Sequence, residues 1–83
     1  MEYEARIMLL ESYIKDAEET IDATAKDIVK WEECVKMSSN RAAKSFAEQY
    51  LYGHLYPLLD VSIKIYFMNK YGIEALKKRN EAE

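Results

Sequence analysis

Residues 2–36 read EYEARIMLLESYIKDAEETIDATAKDIVKWEECVK, and the spacing within this run decides the fold. Ile7, Ile14, Ile21, Ile28 and Val35 fall seven residues apart. A second ladder, Tyr3, Leu10, Ala17, Thr24 and Trp31, runs between them. Steps alternating between three and four lay one apolar seam along an α-helix, suited to packing against another helix. The run contains no Gly or Pro. Its outer face pairs an acid with a base four residues later: Glu2 with Arg6, Glu11 with Lys15, Asp22 with Lys26, Glu32 with Lys36. Each such pair supports an isolated helix by roughly 0.2–0.5 kcal/mol. The pattern predicts one helix over about residues 2–36, about 50 Å long at a rise of 1.5 Å per residue.

Beyond it, Met37-Ser38-Ser39-Asn40 is the turn-forming stretch, and Ser39 or Asn40 is placed to cap a new helix. So short a link turns the second helix back along the first. That helix is expected over about residues 41–71. Pro57 interrupts it, since a proline crowds the carbonyl four residues earlier, here that of Gly53. A kink between Gly53 and Pro57 follows. Gly72 is read as a C-cap, with residues 73–83 forming a short terminal helix or tail. The expected architecture is a single all-α domain over residues 1–83, a long antiparallel helical hairpin with a kinked second helix. If the turn centres on residues 38–39, residue i of the first helix faces roughly residue 77 − i of the second.

Composition narrows the rest. A chain of 83 residues buries a small core, and one cysteine with one histidine supplies neither a disulfide nor a closed structural zinc site. No metal or cofactor is expected. Subunit association remains as the source of added stability. Residues 46–68 place Phe46, Ala47, Tyr50, Leu51, Tyr52, Leu55, Tyr56, Leu58, Leu59, Val61, Ile63, Ile65, Tyr66, Phe67 and Met68 around most of the helix circumference, more than one partner helix can cover. The hairpin is therefore expected to assemble as a homo-oligomeric helical bundle. The expected interface takes in Ile7, Leu10, Ile14, Ile21, Ile28, Trp31, Phe46, Tyr52, Leu59, Ile63 and Phe67. A membrane span over residues 50–68 is disfavoured by His54, Asp60 and Lys64. The acidic opening Met1-Glu2-Tyr3-Glu4 and the unpaired Cys34 suit a cytoplasmic, reducing setting.

For function, no phosphate loop, nucleophile elbow or metal-binding helix motif is present. Leu51 stands three residues before His54, where di-iron bundles require Glu. No enzyme is expected. The leading expectation is a protein-interaction module, an adaptor, inhibitor or regulator that binds itself and a further protein. A second is a small-ligand groove where the slender Ala17 and Thr24 oppose the kink, lined by Tyr50, His54, Tyr56 and Asp60. A third is nucleic-acid contact through Lys70, Lys77, Lys78 and Arg79. Against this third reading, residues 1–36 carry ten acids and five bases, for −5, and residues 37–83 carry five acids and seven bases, for +2. A mildly acidic chain rewards phosphate contact poorly.

Overall fold

The computed structural model describes residues 2–82. Helix α1 spans Glu2–Met37, α2 spans Arg41–Tyr50 and α3 spans Tyr56–Ala82, with a π-helical turn, Leu51–Leu55, joining α2 to α3 without a break. The two arms form an antiparallel hairpin whose Cα atoms extend 63 × 14 × 13 Å. In α1 the buried and half-buried positions are the ten of the two ladders: Tyr3, Ile7, Leu10, Ile14, Ala17, Ile21, Thr24, Ile28, Trp31 and Val35. The ion pairs Arg6–Glu2 and Lys26–Asp22 stand on its exposed side at 3.4 and 3.0 Å.

Asn40 starts the return helix. Its backbone is extended, and its side-chain oxygen accepts hydrogen bonds from the Ala42 and Ala43 N–H groups at 2.9 and 3.2 Å. Those donors would otherwise have no partner at a helix start. On the other side, the Ser38 N–H donates to the Cys34 carbonyl at 3.0 Å, which completes α1. Asn40→Ala should therefore cost about 0.5–2 kcal/mol, read as a lower urea midpoint at unchanged m-value.

The second arm's seam is Ala47, Leu51, Leu55, Leu59, Ser62, Tyr66, Asn69, Ile73 and Leu76, each buried or half-buried. Its first three steps are all four residues, and only then does it alternate three and four. A heptad seam carrying three fours in a row holds one residue too many. The π turn absorbs that residue: the Tyr56 N–H donates to the Leu51 carbonyl, five residues back rather than four. This turn also lies directly ahead of Pro57, which donates no hydrogen bond and needs room for its ring. The expected kink is thus a widened turn, with both halves of the arm held in phase on α1.

Two expectations are corrected. The second helix does not stop at residue 71, because α3 runs through Gly72 to Ala82. Gly72 has no positive φ and caps nothing. It serves close approach: a Cβ there would lie 3.3 Å from Leu10 Cδ1. The register also differs. Leu10 meets Gly72 rather than Phe67, and Trp31 stacks on Tyr50, so residue i faces roughly residue 82 − i. Both the later turn and the additional π-turn residue move it this way.

The core is densest toward the closed end of the hairpin. Ile28, Leu51 and Leu55 form a buried cluster, and Trp31, Val35, Tyr50, Tyr56 and Leu59 pack against it. Toward the open end the seam sets the small or polar Ala17, Ser62, Asn69 and Gly72 among Ile7, Leu10, Ile14, Tyr66, Ile73 and Leu76.

Candidate interaction surface

A two-helix layer has two flanks, and the placement of each candidate residue follows from which flank it reaches. Near the turn, Trp31 stacks on Tyr50 with ring centroids 4.9 Å apart and touches Phe46 at 6.2 Å. Tyr50 in turn meets the His54 ring at 5.2 Å. Tyr56 belongs to the opposite flank, where its hydroxyl donates to Glu32 at 3.0 Å and its ring meets Tyr52 at 5.2 Å. Glu32, Val35, Lys36, Glu48, Leu51, Tyr52 and Tyr56 line an open groove there of about 350 Å³.

The expected ligand groove is therefore not assembled. Tyr50 and His54 are committed to the Trp31 stack, Tyr56 faces the other flank, and Asp60 is exposed. Ala17 and Thr24 are buried, and Ala17 lies among Tyr13, Ser62, Ile65 and Asn69 rather than opposite the π turn. The shifted register accounts for this separation. Among the described residues no group of three or more His, Cys, Asp or Glu is placed to hold a metal ion.

The basic group is likewise divided. Lys70 sits over the Tyr66 ring at 5.7 Å, while Lys77, Lys78 and Arg79 are consecutive and exposed, each about 100° further round the helix. Consecutive helical residues do not share a face, so these cations form no single stripe. Among the described residues no helix is long and apolar enough to cross a membrane.

The glutamate hydrogen bond raises the Tyr56 phenol above the ordinary 10.0, with burial and the nearby Glu32 charge adding to it. A raised phenol pKa stabilises the fold while the group is protonated. The contribution is present in full below pH 10.0 and is lost as pH climbs through the raised value. Thermal melts should show wild type losing more stability than Tyr56→Phe across that alkaline range, and the two curves running parallel below it.

Of the expected interface residues, Ile7, Leu10, Ile14, Ile21, Ile28, Trp31 and Leu59 lie in the seam within one chain. Phe46, Tyr52, Ile63 and Phe67 are exposed. The surface left out of the expected interface is a second ladder on α3: Leu58, Val61, Ile65, Met68, Gly72 and Ala75. It runs one residue ahead of the seam with the same alternation of three and four. Leu58, Val61, Ile65 and Met68 are 37%, 54%, 43% and 65% exposed. The spacing could have revealed it, but Ser62 and Asn69 in the true seam disguised which ladder faced α1. The chain matches no protein-family model, no curated protein and no solved structure.

Proposed function

We propose that this chain is a helical interaction module that acts as a self-assembled bundle. The observation that carries this reading is the ladder of Leu58, Val61, Ile65 and Met68, exposed on α3 at heptad spacing beside a seam that already serves α1. A helix with two adjacent apolar seams is suited to two neighbouring helices, and one hairpin provides only one. Among the described residues no side chain is fully buried, so a second layer of helices also answers the stability problem of a small domain.

Native mass spectrometry over a concentration series tests the proposal. A dimer or tetramer without additional mass supports it. A single chain at every concentration overturns the self-assembly, and a stoichiometric small-molecule adduct overturns it in favour of ligand binding.

A further inference from the structure

We infer that the second occupant of the Leu58–Val61–Ile65–Met68 ladder is the same ladder on another copy of this chain, running antiparallel. The inference rests on the self-assembly proposed above and names its surface. A two-fold axis at the height midway between Tyr66 and Phe67 sets Leu58 level with the partner's Ala75. The same axis sets Val61 level with the partner's Gly72 and Ile65 with the partner's Met68. The Leu58 layer thus matches a branched side chain to the small Ala75, the pairing that lets helices interdigitate, while at Gly72 the Leu10 side chain of the same copy fills the space a Cβ would take. The ladder itself carries no charge.

Charge on the neighbouring arm agrees with the same axis. In the register that places Leu10 on Gly72, the two-fold lies level with Asp16 of α1. Helical phase puts Leu9, Tyr13 and Thr20 of α1 on this flank, with Glu2 and Arg6 toward one end and Asp27 and Lys30 toward the other. The axis brings Glu2 level with the partner's Lys30, and Arg6 within a turn of the partner's Asp27. Both meetings join opposite charges. Asp16 near its own copy is the one like-charge contact.

The area suffices as well. Residues 51–82 overlap their counterparts over about 48 Å, and two helices side by side present a face about 20 Å wide. The product, roughly 900 Å² per copy, reaches the ~800 Å² per partner of a stable interface. The opposite flank is less suited. Its groove of Ile21, Ala25, Ile63, Tyr66 and Phe67 is rimmed by Glu18 and Asp22, and its line along α3 continues into Lys70 and Glu74.

The native Cys34, exposed and single, reports the arrangement directly when spin-labelled. In the antiparallel pair the two labels lie at opposite ends, about 55 Å apart by helical rise, whereas a parallel pair brings them within about 30 Å. A pulsed dipolar distance near 55 Å is expected. Val61→Glu combined with Met68→Glu should weaken association at least ~100-fold, while Phe67→Glu on the opposite flank leaves it near wild type. Both Val61 and Met68 are more than half exposed, so these changes spare the hairpin, and circular dichroism on dilute protein verifies this. A short distance, or association unaffected by the double variant, overturns this surface and leaves self-assembly standing. No dipolar signal together with a single-chain mass overturns both.

Discussion

Leu55→Ala is expected to lower the unfolding free energy by about 2–5 kcal/mol, the usual range for truncating a buried leucine. Leu55 is 2% exposed, and it closes the cluster that Ile28 and Leu51 share. A domain of this size has roughly 4–12 kcal/mol in total, so this single change removes a large part of it. The loss adds the transfer free energy of the missing atoms to the cavity they leave. With Tyr50, Tyr56 and Leu59 fixed by their own contacts, little of that cavity can close. Met8→Ala provides the control, since Met8 is exposed and lies off both the seam and the ladder's flank, so its truncation should move the midpoint little. Urea melts at matched protein concentration separate the two, and equal midpoints would place the stabilising core elsewhere.

Removing one residue should have opposite consequences in the two arms. Deleting Ala23 from α1 turns everything beyond it by about 100°, because α1 has no spare residue in its seam. Ile28, Trp31 and Val35 would rotate away from the second arm, and Val29, Glu32 and Lys36 would take their places. Loss of cooperative melting is the expected result. Deleting Gly53 from the π turn instead changes the run of three fours to a regular alternation, so a plain α-helix holds both halves in phase. Pro57 would then obstruct that α-helix, so the deletion is made together with Pro57→Ala. This double variant should remain folded, with undiminished far-ultraviolet helicity. A collapse as complete as that of the Ala23 deletion would show that the π turn is required for more than phase.

The first arm was legible because its apolar and polar positions separate cleanly. Each residue from Tyr3 to Val35 named by heptad spacing lies in the seam. Asn40 was legible as a cap for a similarly local reason, as its side chain serves donors two and three residues away. The second arm was not. Its seam contains Ala47, Ser62 and Asn69, while Val61, Ile65 and Phe67 face outward, so hydrophobicity alone points to the wrong side. Gly72 misled for a related reason: a glycine can end a helix or admit a neighbour, and only the position of Leu10 distinguishes the two. The ligand groove failed with the register, because the expected offset joined residues that lie at different heights or on opposite flanks.

The uneven seam also sets how the hairpin opens. Ile28, Leu51, Leu55 and the Trp31–Tyr50 stack sit toward the capped turn, whereas the far seam interrupts its apolar residues with Ser62, Asn69 and Gly72. Local opening begins where apolar contact is sparse and advances until the dense cluster fails as a unit. Backbone amides in the single chain should therefore exchange with solvent deuterium on a gradient. Those around residues 4–12 and 70–80 are released by fraying, and those around Ile28 and Leu55 only by global unfolding. The rod behaves as a zipper with its stop at Asn40.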